Sequence, residues 1–202
     1  MILFEIVPAL RCILAPPKSY LALFVHTIGG TANEHLQSPS ISKETAMKGK
    51  PEVLQVLQQS LTDELAAVHG YILHAEMCES WGYKALAGAT TRRAIEEMKH
   101  AEKLISRMLF LEGEPDVQSL PKINIGKTVE EQLAIGLEDE TGAVASYNAG
   151  VAVCAHAGDN ASAELLRGNL QDEERHADYL DTQLTLIKQV GLANYLLQSI
   201  AA

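Results

Sequence analysis

From residue 51 onward the apolar positions recur every three or four residues, the period of an α-helix, in four long runs. In the first, Leu54, Leu57, Leu61, Glu64, Val68 and Tyr71 step by 3, 4, 3, 4 and 3, an amphipathic stripe with an acid inside it. Pro51 suits a first helical turn and Trp81-Gly82 ends the run, which predicts a helix over about 51–80. The second run, about 84–111, has Ile95, Met98, Ala101, Ile105 and Met108 on one side and Glu97, His100, Leu104 and Leu111 on another, so it is expected to be buried on more than one face. Gly113, Pro115, Pro121 and Gly126 mark a connection of about 112–127, long enough to cross the length of a bundle. The third helix, about 128–157, steps through Leu133, Leu137, Glu140, Val144, Tyr147 and Val151, again with an acid in the stripe. After a short turn at Gly158-Asp159 the fourth, about 160–189, aligns Leu166, Asn169, Glu173, His176, Leu180, Leu184 and Ile187. Gly191 stops it, and a short fifth helix, about 192–200, closes an all-α chain with the plan of a four-helix bundle.

Six of the stripe positions carry groups that an apolar interior does not accept alone: Glu64, Glu97, His100, Glu140, Glu173 and His176. Their spacing repeats, since 97 − 64 = 33 and 173 − 140 = 33, and each second Glu is followed by His at +3. The chain is therefore two copies of one plan, a helix giving Glu, a turn, then a helix giving Glu-x-x-His. A single Glu in a stripe is usually a flank residue reaching to solvent, and a lone Glu-x-x-His is usually a surface pair. Four carboxylates converging in a core would each cost several kcal/mol unpaired, and no basic residue falls at a matching inward position. Two divalent cations balance them: four negative charges meet four positive ones, and two neutral imidazoles complete the shells. One Glu from each of two helices and Glu-x-x-His from the other two is the ligand set of carboxylate-bridged di-iron or di-manganese bundles, and oxygen-rich ligands with imidazole suit iron or manganese. Glu97 and Glu173 are placed to bridge the metals, Glu64 and Glu140 to cap one each, and His100 and His176 to close the two ends. Tyr71, two turns beyond Glu64, either hydrogen-bonds near the site, carries an oxidising equivalent, or is an ordinary core tyrosine. Met98 leaves its helix about 100° from Glu97 and faces away from the metals.

Composition narrows the partners. The net charge of −10 argues against nucleic acid and suits a protein that attracts cations, or is simply soluble. Three cysteines, Cys12, Cys78 and Cys154, without any Cys-x-x-Cys, exclude a disulfide framework and a thiolate zinc or rubredoxin-type site, and point to a reducing compartment. Residues 1–46 read differently from the rest, with short apolar pieces broken by Pro8, Pro16 and Pro17 and then a polar piece. No apolar run there reaches the ~18–20 residues that span a bilayer, so no membrane partner is expected. The readings for this N-terminal extension are a tail without function, a weak targeting segment, or an upstream start codon chosen in error; the domain itself is expected at 47–202.

With these residues in view, the chain resembles the bacterioferritins, the haem-containing ferritins of bacteria. The likeness runs from Met47 to about Ser199 and includes MKG at 47–49, Leu73-His74, Trp81-Gly82, IEEMKHAEKLI at 95–105, LFLEGEP at 109–115, INIG at 123–126, DEERHADYLDTQL at 172–184 and NYL at 194–196. Family members usually begin at the equivalent of Met47. The resemblance implies a cytoplasmic ferroxidase and iron-storage protein, a homo-oligomeric 24-subunit shell of ferritin-like bundles. In it Fe(II) is oxidised by O2 or H2O2 at an intra-subunit di-iron centre and stored as ferric mineral. It further implies haem b held by Met98 and by Met98 of a twofold-related subunit, with Lys99, Leu65 and Val68 lining that pocket, and a ferredoxin-type reductant as partner. Residues alone would make Met98 a core or interface methionine. Arg92 and Arg93 stand where many members have polar or acidic residues, His69 where Asn is common and Tyr179 where Trp is frequent, and Leu197 makes the last helix more apolar than usual. None of these is among the six ligands.

Two other classes of function compete with the ferroxidase: an electron-transfer or haem-sequestering bundle whose metal site is structural, and another di-iron enzyme such as a peroxidase or oxygenase. An oxygenase needs a cavity beside the metals, and stripes filled by Leu, Val and Tyr are expected to leave little room for one.

Overall fold

The computed structural model of the chain describes residues 48–200. The expected N-terminal extension, 1–46, lies outside the described residues, as does Met47. Five helices follow: α1 (Pro51–Ser80), α2 (Lys84–Phe110), α3 (Val129–His156), α4 (Asn160–Val190) and α5 (Leu192–Ser199). Each end falls within a residue or two of the place that the periodicity predicts. The reasons are local. Pro51 occupies the first turn of α1. Thr128 caps α3 by accepting from the Glu131 backbone N–H, and Asp159 caps α4 by accepting from that of Ser162. Leu111 and Glu112 end α2, with Glu112 in the left-handed region at φ 60°.

A three-residue turn joins α1 to α2 and another joins α3 to α4, so each pair is antiparallel and packs along its length. The link between the pairs does cross the bundle. Gln58 Nε2 donates to Asp116 O (2.9 Å) near its start, and the Gly126 N–H donates to His74 Nε2 (3.0 Å) near its end. From Gln58 to His74 is 16 residues of helix, about 24 Å at 1.5 Å per residue. Gly126 is held so closely against the start of α3 that a Cβ there would lie 2.5 Å from the Gln132 backbone N and 2.8 Å from its Cα. Backbone cannot yield as a side-chain tip can. Gly126→Ala is therefore expected to cost about 2–3 kcal/mol, read as a lowered midpoint in denaturant unfolding; an unchanged midpoint would show that the link is not clamped there.

The apolar core is split. One cluster gathers Val53, Leu57, Leu61, Leu104, Met108, Tyr147, Cys154 and Leu166. The other gathers Cys78, Leu86, Val129, Leu133, Leu180 and Ile187, and α5 adds Tyr195 to it. In every long helix the inward acid falls between the residues of the two clusters, so apolar packing seals the acids from both ends. The second buried face expected on α2 holds for Ala101 and Met108, with Ile105 half-buried against the same cluster. Ile95 and Met98 remain 42% and 44% exposed, because no other element among the described residues covers that side of the helix. No helix among the described residues is long and apolar enough to cross a membrane.

Candidate metal centre

All six sequence-predicted residues converge, and each is buried, Glu97 and Glu173 to 1% exposure. They form two groups that share Glu97 and Glu173: Glu64, Glu97, His100 and Glu173, and Glu97, Glu140, Glu173 and His176. In the first, His100 Nδ1 lies 2.9 Å from Glu173 Oε1, 3.1 Å from Glu97 Oε2 and 3.5 Å from Glu64 Oε1. In the second, His176 Nδ1 lies 3.0 Å from Glu97 Oε1, 3.0 Å from Glu173 Oε2 and 3.7 Å from Glu140 Oε2. Glu97 and Glu173 thus each turn one oxygen to either half, while Glu64 and Glu140 belong to one half each. The two imidazoles stack with their centroids 6.2 Å apart.

Several partners escaped the sequence reading. His100 Nε2 meets Asp172 Oδ2 at 3.0 Å and His176 Nε2 meets Glu96 Oε2 at 3.1 Å. Each imidazole therefore has a carboxylate on its outer nitrogen, an arrangement that fixes a metal-binding histidine and raises its basicity. Tyr71 donates to Glu140 and Tyr147 donates to Glu64, each reaching across to the acid of the other pair. Of the roles open to Tyr71, the hydrogen bond at the site is the one the structure contains. A signal for these residues was present: 140 − 64, 173 − 97, 176 − 100, 172 − 96 and 147 − 71 all equal 76, so the repeat extends beyond the ligands.

Two expectations need correction. The guanidinium of Arg93, one turn before Glu97, is largely buried and brings positive charge to the Glu140 half, so the site does have a basic neighbour. The room beside the site is also larger than expected. A cavity of about 390 Å³ opens between α1, α3 and the crossing link and reaches Glu64, Glu97, Glu140 and Glu173. It exists because the residues facing it are small, among them Ala66, Ala67, Gly70, Gly136 and Ala143, on the side of the helices that the large Leu and Val residues leave free.

The donor set fits cations. Glu97 Oε1, Glu173 Oε1 and His100 Nδ1, all turned to the centre, are buried with no aligned hydrogen-bond partner, a cost that folded chains rarely carry without a ligand. Without metal, protons take the cations' place. Burial, with Glu140 and Glu64 nearby, drives the Glu97 carboxyl up to about 8 against the opposing pull of His100. Burial also raises Glu173 and, further, Glu140. Burial by itself would depress His100, but hydrogen bonding to Glu173, Glu64 and Glu97 carries it up to about 12.

Comparison with known proteins agrees with this plan. The ferritin-like domain family matches residues 54–190. The chain is 39% identical over 155 residues to a bacterioferritin of Mycobacterium leprae, covering 77% of this chain and 98% of that protein. It is 42% identical over 149 residues to one from Brucella melitensis, covering 74% and 92%. Against the bacterioferritin of Rhodobacter capsulatus it is 37% identical over 155 residues, covering 77% and 96%. A bundle of this plan, an inward acid on every long helix and matches that span nearly the whole of those relatives place the chain in the bacterioferritin family of ferritin-like proteins.

Proposed function

We propose that this iron-storage protein is a ferroxidase: it oxidises Fe(II) to Fe(III) at a centre built from Glu64, Glu97, His100, Glu140, Glu173 and His176, and stores the product in a 24-subunit shell. The observation that carries this reading is the buried pair of ligand groups, whose four carboxylates equal the charge of two divalent ions. Bound there, each Fe(II) gives up one electron, so a pair supplies two to O2 or H2O2 in one encounter. With O2 that reduction takes two protons and yields hydrogen peroxide.

The chain's own groups prepare the site for this. Asp172 is hydrogen-bonded to the outer nitrogen of His100 and Glu96 Oε2 lies 3.1 Å from that of His176, which leaves Nδ1 of each turned inward as the donor. Tyr147 and Tyr71 hold Oε1 of Glu64 and of Glu140 in place, and in Glu140 it is the other oxygen, Oε2, that turns to His176. The cavity provides a way in for a cation, because its lining also carries Asp63, Glu138 and Asp139. That acidic lining favours Fe(II) over an apolar organic molecule, so it supports the ferroxidase rather than an oxygenase.

Haem b is the second part of the proposal. Met98 presents its thioether on the outer face of α2 with Ile95 one turn earlier, both exposed in the single chain. An axial methionine in an apolar setting would bind haem iron between two subunits. His69, on α1, is turned back onto its own helix, with Nδ1 2.5 Å from Leu65 O. Assembly is supported by the apolar surface of the isolated chain, where Ile72, Leu109, Phe110, Leu197 and Ile200 are 49–65% exposed. Iron content, haem content and mass of the purified oligomer test the whole reading together. Met98→Leu is expected to abolish haem absorbance and leave Fe(II) oxidation intact; retained haem would mean another ligand.

A further inference from the structure

The two halves of the centre are copies 76 residues apart, and they differ in the residues that flank the ligands. In the half containing Glu64 and His100, Asn169 is fully buried and donates from Nδ2 to Tyr147 Oη (3.1 Å), the tyrosine that holds Glu64. Its cationic neighbour, Lys103, is exposed and reaches the site only by donating to Asn169 Oδ1 (3.3 Å). In the half containing Glu140 and His176 the residue equivalent to Asn169 is Arg93, since 169 − 93 = 76, and that equivalent to Lys103 is Tyr179, since 179 − 103 = 76. Charge and neutral group have changed places. Here the cation is the inner residue, its side chain 13% exposed, with the Tyr179 ring over it at 5.9 Å. Arg93 Nη1 is buried with no hydrogen-bond partner. Its nearest acid, Glu96 Oε2, is 4.0 Å away and is the same atom that meets His176 Nε2 at 3.1 Å. The positive charge is felt at Glu140 and Tyr71.

We propose that Arg93 makes the two metal positions unequal, so that a divalent cation binds more weakly at Glu140–His176 than at Glu64–His100, which fills first. The physical reason is direct. A fixed unit charge, desolvated and without a close counter-ion, repels a divalent ion at low local dielectric, and the matching place in the other half is held by a neutral amide. Arg93 acts through charge and position and touches neither metal nor oxidant. The inference rests on the dinuclear reading above and gives the site an order of filling: one position keeps its ion while the other exchanges.

Anaerobic titration of the metal-free full chain with Co2+, followed by calorimetry and by visible absorption, separates the two claims. Two Co2+ per chain are expected, in two steps whose dissociation constants differ about tenfold or more. Arg93→Asn, which copies the other half, is expected to keep two Co2+ per chain and bring the steps together. Arg93→Lys, which keeps the charge, should keep them apart. Glu140→Ala should remove the weaker step and Glu64→Ala the tighter one. Steps already equal in the unaltered chain, an undiminished gap in Arg93→Asn, loss of a Co2+ in that variant, or loss of the tighter step in Glu140→Ala would each overturn the proposal. Fewer than two Co2+ in the unaltered chain would instead overturn the dinuclear centre itself.

Discussion

Glu97→Ala is expected to slow Fe(II) oxidation in air by about 100-fold or more, because one truncation removes an oxygen from both metal positions at once. Glu97 Oε2 faces His100 at 3.1 Å and Oε1 faces His176 at 3.0 Å, so neither position keeps its full set. A graded series gives the comparison its force. His100→Ala removes a ligand from one position and should also be severe. Asp172→Asn leaves every ligand in place and weakens only the outer hold on His100, a change that elsewhere costs about 10–100-fold in metal affinity. Glu164→Ala, on the exposed face of α4, should leave the rate alone. The rate of Fe(III) absorbance growth after mixing Fe(II) with aerated protein measures all four. Equal rates in the unaltered chain and in Glu97→Ala would end the ferroxidase reading.

The second large effect is on stability. In the metal-free fold Glu97 keeps its proton up to about pH 8, whereas the unfolded chain releases it near the usual 4.5. His100 keeps its proton up to about 12 against an ordinary 6.5. Both groups therefore make the folded state bind more protons than the unfolded one, Glu97 from about pH 4.5 to 8 and His100 above 6.5. Stability then falls as pH rises, by about 1.4 kcal/mol per pH unit for each proton of difference. The carboxylates with lowered values, Asp159 and Asp172, act only in the acid range below this window. Metal ions replace those protons, so binding tightens as pH rises. Mn2+, a redox-quiet probe, is expected to raise the unfolding temperature of the metal-free protein by about 5–10 °C at pH 8 and clearly less at pH 5.5. A shift as large at pH 5.5 as at pH 8 would mean that the acids at the centre are already ionised without metal.

The burial of the site explains why its ligands can be read from one chain. An acid inside an apolar stripe breaks the pattern that packing imposes, and four such breaks at repeating intervals stand out. Glu96, Asp172 and Arg93 break nothing. Each lies on the edge of a helix face, where a charged residue is the ordinary choice, and only the approach of the neighbouring helix turns it toward an imidazole or a carboxylate. The cavity is hidden from the sequence for a related reason. Listing the large residues of each stripe says how the core is filled but not where Gly and Ala residues of different helices come to face one another.

Helical period, turn residues and the doubled Glu and Glu-x-x-His plan were determined by the sequence alone, because they depend on residues a few positions apart whose geometry a helix sets by itself. Only the tertiary structure decided which carboxylate oxygen serves which half, that Tyr71 and Tyr147 hold the acids of opposite pairs, and that a cation takes the inner place in one half and an amide in the other. Those are meetings between residues tens of positions apart, set by how α1 with α2 closes on α3 with α4. The repeat makes the halves alike in backbone, and the packed side chains make them differ.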